Sequence, residues 1–584
     1  MSDVNELPDD GEGTGALSGV ERIKLASDWL RGDLREAAVS ETPNFEESDV
    51  QLLKFHGVYQ QDDRDQRVKR GEPRAKAWQM MIRLTIPGGV LTAHQYLALD
   101  TFADRFGNGS LRLTTRQSIQ YHGVLKGKLK PLIAEVNAAL LTTIAACGDV
   151  SRNVMASPAP IADEPHRAVQ QLARDIALTL RPKTGAYFEI WLDGERVSDS
   201  RDDEPVYGAS YLPRKFKVGV AIDTDNSIDV HSYDCGLIAV TEQGSVRGYN
   251  LLVGGGFGMT HNKPNTYARI ASAIAFVAPE HALAAVRAVC ELYRDEGDRS
   301  NRKHGRIKYL VEEWGVDRFT SALQGRVEFR LEPPRALAES IPNDFLGVHD
   351  QGDGRLFFGL FVQSGRIVDA DGNRTRSAIR AIVERLRPGV RLTPSQSILF
   401  TDLDPQAIPV VEQILSEHGV RGIDSLSNTV RYSMACPAMP TCGLALAESE
   451  RVLPTLLTKL EHELAQLDLA CVPLTVRMTG CPNGCARPYN ADIGIVGRRP
   501  GVYNVFVGGT MLGSRLADLF AADVRIDNIP DALRPLLERF AQDRHPDEGL
   551  GDFYQRIVGR SEPRRLLTGQ ETPTAPLLQL ARAT

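Results

Sequence analysis

The chain contains 584 residues, of which 42% are hydrophobic and 24% charged, and its formal net charge is -7. A chain of this length can bury the cores of several domains. The negative charge gives no electrostatic reason to expect nucleic acid as a partner. No apolar run approaches the ~18 residues that a membrane span needs, so we expect no membrane association.

The N-terminal segment, residues 1–19, is acidic and Gly-rich. It lacks the basic start and apolar core of a signal peptide and the arginines of a transit peptide, which predicts a cytoplasmic protein. Residues 281–295 and 447–467 have apolar side chains at the three- and four-residue spacing of amphipathic helices. Residues 246–256 and 320–335 predict strands with loops. The class is therefore mixed α and β.

Two internal echoes predict a duplicated chain. Residues 110–121, SLRLTTRQSIQY, match residues 389–400, GVRLTPSQSILF, and each stretch lies between two candidate helices. Downstream, YNLLVGGG at 249–256 resembles YNVFVGGT at 503–510. Chance similarity of short strand–turn segments is the alternative, but both pairs occur in the same order. We divide the chain into an N-terminal linker at 1–75 and four units at 76–147, 148–345, 346–424 and 425–584.

Four cysteines form the pattern C-x5-C-x38-C-x3-C: Cys436, Cys442, Cys481 and Cys485. Zinc sites favour pairs with two to four intervening residues, so the first pair fits zinc poorly. A redox dithiol favours C-x-x-C, which is absent. Soft thiolates held by Gly- and Pro-rich turns suit a [4Fe–4S] cluster, which the pattern favours over zinc or buried structural thiols. No role is assigned to the other cysteines, Cys147, Cys235, Cys290 and Cys471.

Arginines and lysines are clustered although the chain is acidic overall. For most such residues a solvated surface charge is the simplest interpretation. If residues 112–116 form a strand, however, Arg112, Thr114 and Arg116 share one face. Lys215 and Lys217 alternate in the same way, and strand-like apolar sequence flanks both Arg83 and Arg152.

The cysteine pattern, ending in TGCPNGC, resembles that of the sirohaem/[4Fe–4S] nitrite and sulfite reductases. Within this family the resemblance is strongest to the haemoprotein (β) subunits of assimilatory NADPH-dependent enzymes, and it extends over roughly residues 50–560. It implies an α+β, internally duplicated sirohaem reductase fold, with two ferredoxin-like half-domains and two larger α/β cofactor-binding units. It also implies that the four cysteines hold the cluster and that Cys485 bridges it to the sirohaem iron.

The resemblance carries over further residues position by position. The substrate-anion residues it implies are Arg83, Arg152, Lys215 and Lys217. Positions near the sirohaem, which carries eight carboxylates, are Arg112, Thr114, Arg116, Gln120, Thr266 and Arg269, with His122 close by. A hydrogen-bonded core histidine is the alternative for His122. The glycines of residues 251–269 suit a close backbone approach to a flat macrocycle.

The activity implied is six-electron reduction of sulfite to sulfide, in sulfate assimilation and cysteine biosynthesis. No flavin or nicotinamide fingerprint is evident, so electrons must come from a partner. A flavoprotein (α) subunit that oxidises NADPH is expected, with the N-terminal segment as a possible contact, and a ferredoxin-type donor is the alternative. Nitrite reductases on this scaffold tend to have Asn where Lys217 stands, which favours sulfite.

Overall fold

The computed structural model describes residues 17–66, 76–183, 191–192, 195–196, 204–338, 340, 342–559 and 566–567. The helices within these ranges are α1 (Gly19–Ala26), α2 (Leu34–Val39), α3 (Glu47–Leu53), α4 (Ala93–Phe106), α5 (Leu129–Ala138), α6 (Glu164–Thr179), α7 (Ala282–Glu296), α8 (Ile307–Trp314), α9 (Val316–Gln324), α10 (Thr375–Leu386), α11 (Ile408–Glu417), α12 (Asn428–Arg431), α13 (Leu453–Gln466), α14 (Ile529–Asp543) and α15 (Leu550–Val558). None of them is long and apolar enough to cross a membrane.

The strands within the same ranges are β1 (Val58–Asp62), β2 (Trp78–Arg83), β3 (Val90–Leu91), β4 (Leu111–Leu113), β5 (Ile119–Val124), β6 (Met155–Ala156), β7 (Trp191–Leu192), β8 (Glu195–Arg196), β9 (Val218–Ile222), β10 (Cys235–Glu242), β11 (Ser245–Val253), β12 (Tyr267–Ala268), β13 (Ser272–Val277), β14 (Gly347–Asp350), β15 (Leu356–Leu360), β16 (Arg366–Ile367), β17 (Asp369–Ala370), β18 (Asn373–Arg374), β19 (Gly389–Leu392), β20 (Ile398–Leu403), β21 (Ser433–Ala435), β22 (Val476–Thr479), β23 (Ile493–Arg499), β24 (Val502–Val507), β25 (Asp518–Arg525) and β26 (Leu566–Leu567).

Two five-stranded sheets repeat one topology and exchange their edge strands. The first has the order β1-β2-β5-β4-β16 and the second β14-β15-β20-β19-β3, so each takes its fifth strand from the other half of the chain. Gly89 and Gly365 occupy equivalent positions before the exchanged strands, both at φ 73°. A Cβ on either would lie 2.6 Å from the carbonyl oxygen of Leu392 or Leu113, respectively. Glycine is needed at both crossings because no side chain fits there.

Two larger sheets repeat a second topology. In β6-β9-β10-β11-β13 and in β21-β22-β23-β24-β25, the first three strands are parallel and the rest antiparallel. The echo at 249–256 begins in β11 and its partner at 503–510 begins in β24. The earlier echo forms β4–β5 and β19–β20, each flanked by the expected helices. The duplication predicted from sequence is confirmed.

Two local predictions are wrong. Residues 320–335 contain the end of α9 and a single bridge at Glu332 rather than a strand. The predicted linker at 1–75 contains α1, α2, α3 and β1, and β1 pairs with β2 in the first sheet. Polar contacts with distant segments hold α1 in place, since Arg299 Nη1 donates to Glu21 at 2.6 Å and buried Lys24 donates to the Leu212 carbonyl at 2.7 Å. Hydrophobic periodicity does not report such contacts. The division of the rest of the chain into four units stays a prediction.

Candidate cofactor and anion site

The cysteines lie at the carboxyl edge of the parallel strands β21, β22 and β23. Cys436 directly follows β21, and Cys481 and Cys485 lie in the loop between β22 and β23. Loops at the carboxyl ends of parallel strands are where open α/β sheets bind ligands. The Gly480 N–H donates to Cys436 Sγ at 3.3 Å, and Asn483 Nδ2 donates to Cys481 Sγ at 3.5 Å. Donors of this kind stabilise sulfur ligands and tune the potential of a cluster.

The four thiols are electrostatic neighbours. Burial, followed by the charge of Cys485, raises the pKa of Cys436 to about 12. Burial raises the pKa of Cys481 well above its usual value, and Cys485, Cys442 and Cys436 add to the effect. Thiols in such a group ionise when a cationic centre binds them, as iron would. Within the described part of the chain, no group of three or more His, Cys, Asp or Glu has the geometry to hold a single metal ion. A [4Fe–4S] cluster instead offers each thiolate its own iron.

Lys215 and Lys217 lie immediately before β9, and the charge of Lys215 acts on Lys217. Phe216 between them is fully buried, whereas both lysines are partly exposed, which confirms the predicted alternation. The Lys217 N–H donates to Asp234 Oδ2 at 2.9 Å, and this carboxylate also takes a bidentate pair from Arg306 at 2.8 Å. The backbone of the lysine segment is therefore fixed at the start of β9.

Burial, and then crowding by cations, makes both lysines easier to deprotonate. Burial, then Arg306, Arg214 and Arg152, lowers the pKa of Lys215 to about 7, while Cys485 opposes the shift. Burial, followed by Lys215, lowers the pKa of Lys217 well below its usual range. Such a cluster of cations favours the binding of anions, because each added negative charge relieves repulsion among the cations.

Arg83 belongs to the same region. Its Nη1 donates to Cys147 Sγ at 3.2 Å, and its Nε lies 2.8 Å from the Gln120 side-chain oxygen, placed to accept. Burial opposes the charged form, but Cys147, Tyr59 and Cys485 raise the pKa of Arg83. Arg152 is anchored nearby, since its Nε donates to the Gly148 carbonyl at 2.8 Å. Gln120 thus orients Arg83 through a cross-strand contact between β5 and β2.

Arg116 has unused hydrogen-bonding capacity. Its Nη2 donates to the Asn153 carbonyl, but Nε and Nη1 are buried and, among the described residues, have no hydrogen-bond partner. Burial lowers its pKa to about 10. A buried guanidinium with unpartnered N–H donors suits a carboxylate, which forms charge-assisted hydrogen bonds with it. This residue therefore fits a carboxylate-rich macrocycle.

Other residues predicted near the cofactor have protein partners instead. Strand β4 ends at Leu113, and Thr114 Oγ1 accepts from the Arg116 and Ser118 N–H groups at 3.2 Å, so residues 112–116 do not form one strand face. Fully buried Arg112 donates to the Ser364 carbonyl and to the Ala435 carbonyl at 2.8 Å. It also lies 3.0 Å from Glu450 Oε2. Arg112 therefore supports the strand before Cys436.

Thr266 and Arg269 support the Gly-rich segment. Thr266 Oγ1 accepts from the Thr260 N–H at 2.9 Å and donates to the Lys263 carbonyl at 2.8 Å. Arg269 Nε donates to Glu312 at 3.1 Å, and Nη1 donates to the Gly254 carbonyl at 3.0 Å. These contacts shape the loop, and a role of either side chain beside the sirohaem stays a prediction.

The Gly-rich loop itself contacts the cysteine loop. The Met259 N–H donates to the Pro482 carbonyl at 3.1 Å. A Cβ on Gly255 would lie 2.4 Å from the His231 carbonyl oxygen, and one on Gly256 would lie 2.6 Å from the Arg306 guanidinium. The glycines thus let this loop pack closely against its protein neighbours, and the elements joined carry the thiols and the cations; a close approach to a flat macrocycle stays a prediction.

Sequence reasoning missed several residues of this site. Thr115 Oγ1 donates to the Cys485 carbonyl at 2.9 Å. Lys54 and Tyr59, from the predicted linker, lie beside the cations, with Lys54 Nζ 5.9 Å from the Tyr59 ring centroid. A third echo was available: MASPA at 155–159 matches MACPA at 434–438, which places Ser157 at the repeat position of Cys436. Ser157 donates to Asp225, so an oxygen pair occupies this position of the first repeat.

Comparison with known proteins shows the family and the fold. Residues 173–331 match the nitrite and sulphite reductase 4Fe-4S domain, and residues 75–139 and 349–418 match the nitrite/sulfite reductase ferredoxin-like half domain. The chain belongs to the nitrite and sulfite reductase family. The fold resembles that of the NirA protein of Mycobacterium tuberculosis, with a TM-score of 0.77 and 23% identity over 93% of this chain and 97% of that one.

Curated relatives are similar over nearly the whole length. The sulfite reductase [NADPH] hemoprotein beta-component of Acidithiobacillus ferrooxidans is 46% identical over 93% of this chain and 96% of its own. The protein of the same name from Methylorubrum populi is 46% identical over 92% of this chain and 88% of its own. A sulfite reductase [ferredoxin] of Synechococcus elongatus is 44% identical over 93% and 89%. Relatives named for NADPH and for ferredoxin are thus similar to this chain at nearly the same level of sequence identity.

Proposed function

We propose that the protein reduces sulfite to sulfide in a six-electron reaction, within assimilatory sulfate reduction and cysteine biosynthesis. The observation that carries this proposal is a cluster of cations near Cys485: the thiol acts electrostatically on Arg83 and Lys215, and Lys215 is coupled in turn to Arg152 and Lys217. Electrostatic coupling supports the proximity, since Cys485 acts on the pKa of both Lys215 and Arg83. The names of the relatives point to the same substrate.

A [4Fe–4S] cluster held by Cys436, Cys442, Cys481 and Cys485, with sirohaem bound through Cys485, fits the residues present. The free donors of Arg116 suit one of the sirohaem carboxylates. When bound, the coupled pair would supply electrons singly to a substrate on the open face of the haem.

The chain's own residues bind the anion and handle protons. Arg83 and Arg152 are held by Gln120 and Gly148, so their charges are preorganised rather than recruited. Lys215, with a pKa of about 7, can give up a proton near neutrality and regain it from water. Lys217 supplies a second amine beside Lys215 that can donate hydrogen bonds to the anion. Proton delivery lets the sulfite oxygens leave as water.

Electrons would come from NADPH through a flavoprotein subunit, in the cytoplasm. The names of two of the relatives support this donor, and a ferredoxin-type donor is the alternative that the third supports. Steady-state assays with each reduced donor would decide between them. Turnover with ferredoxin, and none with the flavoprotein and NADPH, would contradict the proposed partner.

Substrate choice is tested with a low-potential dye as donor. We expect wild type to have a higher kcat/KM for sulfite than for nitrite, and this preference to fall in Lys217→Asn. Lys459→Asn is the control, because Lys459 is exposed and pairs only with Asp527 on the surface. Preference for nitrite by the wild type would overturn the sulfite assignment while leaving the thiol site intact.

A further inference from the structure

Arg487 lies two residues after Cys485 and touches all four repeated parts of the molecule. It is 5% exposed and has a left-handed backbone with φ 54°. Its Nη1 donates to the Thr115 carbonyl at 3.0 Å, and its Nη2 donates to the Pro394 carbonyl at 3.2 Å. These two carbonyls are repeat equivalents, since Thr115 aligns with Pro394 in the first echo. Arg487 therefore joins the two half-domain turns at matching points.

The same guanidinium reaches the larger units. Its Nε donates to Asp229 of the first unit, and its Nη2 lies 3.6 Å from Met434 Sδ in β21. Asp229 is the repeat equivalent of Arg487: each has a left-handed backbone and stands immediately before a short 3-10 helix. Across the approximate twofold axis, equivalent positions thus carry opposite charges and pair with each other.

A second buried guanidinium shares this carboxylate. Arg477 Nη1 donates to Asp229 Oδ2 and to Asn490 Oδ1, both at 2.8 Å. The cluster of Asp229, Arg477 and Arg487 therefore has two positive charges and one negative charge, a net charge of +1. The buried carboxyl of Asp492 also acts on Arg477, but burial raises the pKa of Asp492 and so disfavours its negative form. This surplus charge is buried next to the segment that carries Cys485, where low dielectric strengthens its field.

We propose that Arg487 is a positioning residue for Cys485, and that the surplus charge of its cluster with Asp229 and Arg477 raises the reduction potential of the centre bound to that thiol. The inference rests on the proposed ligand role of Cys485. Thr115 completes the support, because its hydroxyl donates to the Cys485 carbonyl while its own carbonyl accepts from Arg487. The cysteine is thereby fixed at the point where the halves of the chain meet.

The test uses the cofactor-loaded protein and four variants. Arg487→Met removes one positive charge and Asp229→Asn removes the negative one, so the midpoint potentials measured by dye-mediated titration should move down and up, respectively. Arg487→Lys keeps the charge but reaches fewer partners, so kcat should still fall roughly 10–100-fold, as is usual when support for a metal ligand is lost. Thr115→Val, at a partly exposed position, should alter the haem absorption spectrum without unfolding the chain.

The matched control is Arg376→Lys. Arg376 also bridges the two halves, donating to Asp100 Oδ1 at 2.7 Å and to the Gly109 carbonyl at 2.6 Å, but it lies on α10 away from the cysteines. The Arg376→Lys variant should lower the midpoint temperature of thermal unfolding and leave the haem absorption spectrum and the midpoint potential unchanged. The proposal is overturned if Arg376→Lys shifts the potential like the Arg487 variants, if Arg487→Lys is fully active, or if Arg487→Met and Asp229→Asn move the potential in the same direction.

A separate variant, Cys485→Ser, distinguishes this proposal from the proposed function. If Cys485→Ser keeps its full complement of iron, acid-labile sulfide and haem, the ligand role fails, and with it the basis of the inference. If Cys485→Ser loses the cofactors while the Arg487 variants match wild type in potential and spectrum, only the positioning role fails.

Discussion

Lys215 should make anion binding depend on pH in a way that its own substitution can remove. Its pKa falls from 10.5 to about 7, chiefly through burial and the charge of Arg306. At about 1.4 kcal/mol for each tenfold change in the protonation equilibrium, this corresponds to about 5 kcal/mol against the ammonium form. Because Lys215 is partly exposed, solvent screens part of this cost.

The sign follows from the lowered pKa. Below pH 7 Lys215 is an ammonium and attracts anions, and above pH 7 it is a neutral amine. If binding requires the ammonium, affinity should weaken by up to about tenfold for each pH unit above 7. The midpoint should lie near 7 in the apoprotein. It should move upward when an anionic cofactor is loaded, because negative charge favours the ammonium.

The assay is the binding of sulfate, whose charge is constant between pH 6 and 9, measured by calorimetry across that range. Lys215→Arg should bind with little pH dependence, because the guanidinium stays charged, and Lys215→Gln should bind weakly throughout. The slope with pH is the decisive quantity, since the larger Arg can change absolute affinity. The same slope in wild type and Lys215→Arg would refute the reasoning.

Three further changes have defined outcomes. Asp100→Asn should lower the free energy of unfolding by about 3 kcal/mol, because the Asp100 carboxylate, which is 1% exposed, pairs with Arg376 across the two half-domain units. An unchanged midpoint in chemical denaturation would contradict this. Although burial opposes it, Arg302 lowers the pKa of Asp149, so its contribution to stability is present above about pH 4 and is lost as pH falls further. Asp149→Asn should therefore have a lower free energy of unfolding than wild type at pH 7. Denaturation across a pH series should show this difference becoming smaller in acid. A difference in free energy that stays constant with pH would refute the linkage to the Asp149 pKa. Cys485→Ser should lose both haem and iron after anaerobic reconstitution, measured by absorbance and iron content, and full retention would exclude it as a ligand.

Motif spacing accounts for much of what could be predicted here. The cysteine pattern predicted a thiol-ligated cluster, and the structure makes the four thiols electrostatic neighbours. The alternation of Lys215 and Lys217 was readable because a strand period of two is local. The echoes predicted duplication for the same reason, since repeated strand–turn sequences keep their local conformation.

Side chains with long-range partners could not be assigned in this way. The alternation of Arg112, Thr114 and Arg116 predicted one face, but Thr114 begins a turn and directs Arg112 and Arg116 to different surroundings. Arg269 carries the sequence context of a ligand residue, yet its donors are used by Glu312 and by backbone carbonyls. Which partner a long cationic side chain reaches depends on segments distant in the chain.

The sequence by itself determined the mixed α and β class, the duplication, the thiol set and one pair of lysines, because each depends on spacing within a few residues or on repetition. Only the tertiary structure decided that the half-domain sheets exchange their edge strands. It also decided that Arg487 meets Asp229 and that Thr115 supports Cys485. These contacts join residues more than 250 positions apart, where the free energy comes from burial and charge pairing that no local pattern encodes.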